Sequence, residues 1–308
     1  MDTLLIVGID TVVGANIAHS QSRFSRVIGL ALSQPTDLSF CETRYAPETD
    51  PKTIRDCLTT FNPDRVVYCG SASESPWQTP FSATPEVDEI EHVASWAQAA
   101  AECEANFTLI SSDMIFTGPW LFHTEESNCL CESSEARRIR QIEKACLRNC
   151  PDSLIIRTHV FGWSSNSGWL ENTLDDLDSE NAGPYDFHRH ASPILATDFV
   201  EILEKAWQTN LQGIFHIAGA ERVNPNQFVT RLAAEFGLPA PHPVNGNTLS
   251  ERPVGFGCGE SSLHTTKIRK ALDVSMPTLS ESLQRLREQR HNGYCDKLKS
   301  LPIQEKAA

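Results

Sequence analysis

Short apolar runs alternate with longer amphipathic segments through the first two thirds of the chain. The runs that predict strands are residues 4–8, 27–32, 65–69, 107–110, 154–156 and 214–217. Segments between them, such as residues 87–101, place their apolar side chains on one face of a helix. Strands joined by helices pair in parallel through right-handed crossovers, with helices on both faces of the sheet. The pattern therefore predicts an α/β fold with a doubly wound parallel sheet.

Capping signals set the ends of several predicted helices. Asp50-Pro51 predicts a helix start, and Asn62-Pro63 predicts the end of the same helix. Thr278 with Glu281 forms a capping box for the last helix. Two further starts are predicted at Thr84-Pro85-Glu86 and at Asn224-Pro225. Residues 163–192 are rich in Ser, Asn, Asp and His, which predicts a loop-rich insertion.

The charge balance narrows the class of partner. The 308 residues carry 26 Lys and Arg against 40 Asp and Glu, a net charge of −14. This negative field repels nucleic-acid phosphates and anionic lipids, so we expect neither nucleic acid nor a membrane as a partner. The chain has no apolar run of roughly 18 residues, and its first residues lack the basic segment of a signal peptide. We therefore expect a cytoplasmic protein with free thiols and no bound metal.

The first predicted strand runs into a turn with the spacing of a dinucleotide-binding loop. Residues 8–14 read Gly-Ile-Asp-Thr-Val-Val-Gly, with glycine at the first and third places of a G-x-x-G-x-x-G motif. In such loops a pyrophosphate lies on the helix N-terminus, and a small middle residue lets the backbone approach it. Thr11 fills the middle place, and Asp10 adds a charge that opposes an anion. The alternative is a tight strand–helix turn that is kept for packing.

Candidate cofactor-binding residues lie in this loop and at the ends of the next strands. The exit of the second strand has neither the acid that binds a ribose hydroxyl in NAD sites nor an adjacent arginine. The sequence does not decide between NADP and NAD as the cofactor, although the missing acid favours NADP. Because the loop is altered, a third alternative is that no cofactor binds. The candidates are Gly8, Thr11, Val12, Gly14, Ser33, Cys69, Gly70 and Ser71.

Six blocks of sequence together resemble the dTDP-4-dehydrorhamnose reductase (RmlD-like) group of extended short-chain dehydrogenase/reductases. They are residues 63–69 (PDRVVYC), 110–118 (ISSDMIFTG), 156–162 (IRTHVFG), 192–199 (SPILATDF), 213–219 (GIFHIAG) and 252–267 (Arg-Pro, then Ser-Leu and Lys). The resemblance implies a Rossmann-like domain with a smaller C-terminal α/β substrate-binding subdomain. The first would comprise residues 1–162 with about 193–220, and the second residues 163–192 and 221–308. The group also contains the regulatory beta subunit of methionine adenosyltransferase, so the resemblance does not fix an activity.

In this group the expected reaction is hydride transfer from a nicotinamide cofactor to a 4-keto nucleotide sugar, and a homodimer is a possible assembly. Ser112 matches the Ser or Thr that orients the keto oxygen. Asp113, His159 and Arg252 are the expected substrate contacts. The partner implied by the resemblance is thus a nucleotide sugar or a related small molecule.

The Tyr-x-x-x-Lys pair of such reductases is missing. A phenol with a pKa near 10 becomes a useful acid at pH 7 only when a neighbouring cation stabilises the phenolate. One alignment puts Glu135 at the tyrosine place and Ile139 at the lysine place, and an ungapped alignment puts Ala136 and Arg140 there. The chain has four tyrosines, and none of them has a lysine four residues later. They are Tyr45, Tyr68, Tyr185 and Tyr294.

Two hypotheses follow from this absence. The first is a non-catalytic binding or regulatory member of the group, acting on a small molecule or through a protein partner. The alternative is an active NAD(P)-dependent oxidoreductase that uses substitutes, with Glu135 as an acid, Arg140 as the cation or His123 as a titrating group.

Overall fold

The computed structural model describes residues 2–46, 50–77, 87–183, 185–242 and 259–301. Its strands are β1 (Thr3–Val7), β2 (Arg26–Ala31), β3 (Glu42–Tyr45), β4 (Arg65–Tyr68), β5 (Asn106–Ser112), β6 (Leu154–Thr158), β7 (Val160–Phe161), β8 (Ile194–Leu195) and β9 (Gly213–His216). Its α-helices are α1 (Val12–Gln21), α2 (Pro51–Phe61), α3 (Val87–Glu102), α4 (Ser134–Asn149), α5 (Trp169–Asp178), α6 (Ala196–Gln208), α7 (Pro225–Phe236), α8 (Thr266–Leu272), α9 (Leu279–His291) and α10 (Tyr294–Leu298).

Seven of the strands form one parallel sheet in the order β3-β2-β1-β4-β5-β6-β9. The strand order runs outwards in both directions from β1, which is the doubly wound arrangement predicted from the apolar runs. Strands β7 and β8 pair in parallel as a separate small sheet. The α/β fold class is therefore confirmed, whereas the division into two domains stays a prediction.

Both faces of the sheet are covered by apolar layers. Helices α1 and α6 pack together on one face, and α3 packs against α2 and α4 on the other. The apolar side chains of the central strands are almost completely buried, which explains why these strands read as continuous hydrophobic runs. Among the helices of the described residues, none is both long and apolar enough to cross a bilayer.

The helix caps follow the predicted chemistry where they can be compared. The Asp50 carboxylate accepts hydrogen bonds from the Lys52 and Thr53 amides at the start of α2. Thr278 and Glu281 form the expected capping box of α9. The start of α3 predicted at residues 84–86 lies outside the described residues. Helix α5 was not predicted, because it lies within the polar segment that indicated only loops.

A buried ion pair joins the sheet to α4. The Arg157 guanidinium of β6 donates two hydrogen bonds to the Glu143 carboxylate, at 2.9 and 2.8 Å. The Ser111 hydroxyl of β5 donates a third at 2.6 Å. The side chains of Arg157 and Glu143 are only 9% and 5% exposed. Each therefore neutralises the charge of the other where water does not reach it.

Candidate active site

The turn after β1 is closed by its own side chain. The Thr11 hydroxyl accepts a hydrogen bond from the Gly14 amide at 3.0 Å and donates one to the Gly8 carbonyl at 2.8 Å. Thr11 is thereby the N-cap of α1 and satisfies an amide that a bound phosphate would otherwise meet. A pyrophosphate can approach the backbone closely only where the middle residue of the loop has no side chain. The Thr11 side chain fills that space.

The two glycines of this loop are required by packing. Gly8 has a φ of +88°, and a methyl group on it would lie 1.8 Å from the Cys69 carbonyl oxygen. A methyl group on Gly14 would lie 2.2 Å from the Gly8 carbonyl oxygen. Close contact of α1 with the strand ends therefore accounts for both glycines, without a ligand.

Gly8→Ala is expected to lower the free energy of unfolding by several kcal/mol, because alanine adds a backbone clash to an unfavourable φ. Gly213 is the matched control, since its φ is +86° and a methyl group there meets no atom within 4 Å. Gly213→Ala should cost only about 1–2 kcal/mol. Urea unfolding of both variants measures the difference, and equal losses would show that the contact with Cys69 is unimportant.

The Asp10 carboxylate holds the backbone that follows β2. It accepts hydrogen bonds from the amides of Leu32 at 3.1 Å, Ser33 at 2.7 Å and Gln34 at 3.1 Å. In Rossmann folds the end of the second strand is the place of the adenosine ribose, and in NADP sites of the 2′-phosphate. An anionic group of the chain itself already occupies these donors, which argues against the lean towards NADP.

A second carboxylate occupies the amide after β4. Glu89 of α3 accepts hydrogen bonds from the backbone amide of Ser71 at 2.9 Å and from its hydroxyl. A methyl group on Gly70 would lie 2.0 Å from the same carboxylate oxygen, so the side chain lies directly against this backbone. Cys69 is completely buried behind the turn. The predicted cofactor contacts at Gly70 and Ser71 are thus engaged by the protein itself.

The cleft above the loop is narrow and acidic. Its lining residues are Asp10, Thr11, Val12, Ser33, Gln34, Glu74, Ser164, Asn166, Ser167 and Gly168. They include two carboxylates and neither Lys nor Arg among the described residues. The cleft has about 80 Å³ of accessible space, whereas drug-sized ligands occupy pockets of roughly 300–1,000 Å³. A dinucleotide would have to open this cleft and bring two phosphates close to two carboxylates.

The charge of this cleft is expected to make stability depend on pH through Glu74. Burial, followed by the charges of Asp10 and Glu89, raises the pKa of the Glu74 carboxyl. A carboxyl whose folded-state pKa is raised stabilises the fold below the unfolded pKa, and this contribution is lost as pH rises through the folded pKa. Glu74→Gln should therefore stabilise the protein at pH 7, with the gain shrinking towards pH 4.

Chemical unfolding of both proteins at the two pH values measures this effect. The control is Asp56→Asn, which removes one charge from the exposed face of α2. A stabilisation by Glu74→Gln that is equal at pH 4 and pH 7 would show that ionisation of Glu74 is not its cause.

Ser112 and the residues at the tyrosine place serve local structure. The Ser112 hydroxyl, at the end of β5, accepts a hydrogen bond from the Met114 amide at 3.2 Å. Glu135 lies in the first turn of α4, where a hydrogen bond from its own backbone amide chiefly lowers the pKa of its carboxyl. Glu135 is thus held in the ionised form, the wrong form for a proton donor. Ala136 is fully buried and has no titratable group.

The lysine place supplies no cation to the cleft. Ile139 is buried in an apolar cluster with Ile115 and Phe116. Arg140 donates a hydrogen bond to the Cys131 carbonyl and contacts Glu132 at 3.7 Å, on the loop before α4. His123, the remaining substitute, is buried and stacks on Phe116 with ring centroids 4.7 Å apart.

A hydrogen-bonded chain of three side chains lies at the carboxyl ends of β4, β5 and β6. Nδ1 of His159 is 3.0 Å from an Asp113 carboxylate oxygen, and Nε2 is 3.0 Å from the Ser75 hydroxyl. The Ser261 hydroxyl donates to the same Asp113 oxygen at 2.9 Å. Asp113 and His159 are 0% and 1% exposed. The structure thus joins two predicted substrate contacts, whereas Arg252 lies outside the described residues.

A family model described as RmlD substrate binding domain matches residues 1–291. The chain belongs to this family. A search of curated proteins finds no significant match.

Solved structures of known proteins share the fold of this chain. A dTDP-4-dehydrorhamnose reductase from Bacillus anthracis, crystallised with NADP, is 15% identical, with a TM-score of 0.73 over 94% of this chain and 99% of that one. A hypothetical dTDP-4-dehydrorhamnose reductase from Sulfolobus tokodaii is 22% identical, with a TM-score of 0.70 over 90% and 97%. MoeE5, in complex with UDP-glucuronic acid and NAD, is 15% identical, with a TM-score of 0.72 over 95% and 100%.

Two residues of this site, and the contacts of a third, were not predicted from the sequence. Asp10 was recognised as a charge opposed to phosphate, but its bonds to the strand-two amides were not predicted. Glu89 and Ser75 belong to none of the six family-like blocks, so no motif signal pointed to them. Each acts through a contact that only the folded chain brings about.

Proposed function

We propose that this RmlD-family protein is redox-inactive and binds a nucleotide sugar or a related small molecule without catalysing nicotinamide-dependent reduction. The observation that carries the proposal is the occupation of both candidate dinucleotide sites by carboxylates of the chain. Asp10 takes three backbone amides after β2, and Glu89 takes the Ser71 amide after β4. The end of β2 is where the adenosine ribose of a dinucleotide lies in Rossmann folds, and carboxylates on these amides oppose its phosphates.

The missing acid supports the same function. No tyrosine of the chain has a lysine four residues later, and the two alignments place Glu135 with Ile139 or Ala136 with Arg140. Glu135 lies ionised in the first turn of α4, and Arg140 faces a neighbouring loop. Loss of a general acid typically lowers a rate by about 10²–10⁴-fold.

Support for the ligand class comes from the carboxyl end of the sheet. Ser75, Asp113 and His159 follow adjacent parallel strands, which is where α/β folds bind their ligands. MoeE5, which has the same fold, was crystallised with UDP-glucuronic acid and with UDP-glucose. A protein partner and a homodimer stay predictions from the resemblance.

A thermal-shift panel tests the proposal, because a ligand that binds only the folded state raises the melting temperature. UDP-glucuronic acid, UDP-glucose and dTDP-glucose are compared with NADP, NAD and inorganic phosphate at equal concentration. A rise in Tm with a nucleotide sugar and none with a dinucleotide is expected. A rise with NADP or NAD as large as that of a genuine reductase, measured in parallel, would contradict the proposal.

A further inference from the structure

The chain Ser75–His159–Asp113 has the connectivity of a nucleophile, a base and an orienting acid. The Asp113 carboxylate accepts from Nδ1 of His159, which assigns the proton to that nitrogen. The other ring nitrogen, Nε2, is then the acceptor and faces the Ser75 hydroxyl at 3.0 Å. Both distances lie within the range expected for a nucleophile–base and a base–orienter contact.

The remaining hydrogen bonds fix the direction of this chain. The Trp77 backbone amide donates to the Ser75 oxygen at 3.3 Å, so the hydroxyl hydrogen is left for His159. The Ser261 hydroxyl lies 2.9 Å from the Asp113 oxygen that receives His159 and 3.0 Å from the His190 carbonyl, and its single hydrogen is shared between these two acceptors. The carboxylate is therefore held in place by a neighbour as well as by the imidazole.

The surroundings suit a small acyl group. Ser75 follows Glu74, which lines the narrow cleft, and the Trp77 ring lies over the His159 ring with centroids 4.4 Å apart. Trp169 and Phe228 continue this aromatic wall at 5.9 and 5.4 Å from Trp77. Ser75 is only 7% exposed beside these rings, so a substrate that reaches its hydroxyl must be small.

We propose that Ser75 is a nucleophile activated by His159, that Asp113 orients the His159 ring, and that this site hydrolyses esters of small carboxylic acids. Catalysis begins when the Ser75 oxygen bonds to the ester carbonyl carbon and its proton moves to Nε2 of His159. The ester C–O bond then breaks, and the imidazolium gives this proton to the departing alcohol. A water molecule then attacks the acyl-serine carbonyl carbon and gives a proton to Nε2 of His159. The bond from this carbon to the Ser75 oxygen breaks, the imidazolium returns the proton to Ser75, and the carboxylic acid is released. The only co-reactant is water, and no group is oxidised or reduced.

This activity goes beyond the proposed redox-inactive ligand binding and is tested without any nucleotide. The wild-type chain is incubated with a fluorophosphonate probe, and the labelled residue is mapped by mass spectrometry of its peptides. Hydrolysis of p-nitrophenyl acetate is followed in parallel. Expected results are labelling at Ser75 and its loss in Ser75→Ala.

Variants separate a catalytic chain from a structural one. His159→Gln should slow labelling and hydrolysis by at least about 100-fold, and Asp113→Asn should slow both by a comparable factor. Ser73 is the matched control, since it is a buried serine on the same segment whose hydroxyl bonds to the Gly70 carbonyl. Ser73→Ala should label and hydrolyse like the wild type.

The proposal is overturned if the wild type is not labelled at Ser75, or if His159→Gln is labelled at the wild-type rate. Mapping on the wild type decides the question even if a variant fails to fold, and thermal unfolding identifies such a variant. Failure of the redox-inactive assignment would instead appear as dinucleotide binding, which the probe does not report.

Discussion

Arg157→Met is expected to destabilise the fold by about 3–5 kcal/mol, because it leaves the Glu143 carboxylate buried without a counter-charge. The pair is nearly inaccessible to water, and the guanidinium makes both of the charged hydrogen bonds described above. The loss should appear as a lower urea midpoint with an unchanged dependence on denaturant. Since α4 carries Glu143 and the sheet carries Arg157, the result measures how firmly this helix is fixed to the sheet.

The double variant Glu143→Met/Arg157→Met is the control for this prediction. Replacing both partners of a buried ion pair by apolar residues is often neutral or stabilising, whereas removing one partner is not. The double variant should therefore recover at least half of the stability lost by Arg157→Met. A double variant less stable than the single one would show that packing or the Ser111 contact, rather than the unpaired charge, causes the loss.

Removing the two carboxylates that occupy the dinucleotide sites is expected to increase affinity for NADP. In Asp10→Ala/Glu89→Ala the amides of Ser33 and Ser71 become available to an anionic ligand. Hydrogen bonds to charged groups contribute about 1.5–3 kcal/mol each. Since about 1.4 kcal/mol is a tenfold change in affinity, a gain of tenfold or more is expected by calorimetric titration.

The control for this gain removes the same charge elsewhere. Asp56 and Glu102 are exposed on α2 and α3, outside the cleft lining. Asp56→Ala/Glu102→Ala should leave the affinity for NADP unchanged within about twofold, because exposed charges outside the cleft are largely screened by salt. Equal gains in both double variants would show that overall charge, and not occupation of the amides, limits binding. No gain in Asp10→Ala/Glu89→Ala would contradict the assignment of these carboxylates.

The fold could be predicted where burial shaped the sequence. The strands of the sheet centre are buried on both faces and therefore read as apolar runs. Strand β3, with the sequence Glu-Thr-Arg-Tyr, is a largely exposed edge strand and has no such run, so it was missed. Helix α5 was missed for a different reason, because its four buried residues are embedded in a strongly polar segment.

The candidate site was predictable only in part. The absence of a Tyr-x-x-x-Lys pair is a property of the sequence, and so is the threonine within the phosphate loop. The bond between Asp10 and the Ser33 amide joins residues 23 positions apart, and that between Ser75 and His159 joins residues 84 positions apart. Such contacts depend on where the parallel strands end relative to one another, and a single sequence carries no periodic signal for them.

The most direct test of the central claim is consumption of NADPH by the purified wild-type protein in the presence of a 4-keto nucleotide sugar. A dTDP-4-dehydrorhamnose reductase serves as the positive control, and absorbance at the NADPH band is followed over hours. The account predicts a rate no greater than that of the mixture without protein, with NADH as with NADPH. Steady, protein-dependent oxidation of either cofactor that requires the keto sugar would contradict it.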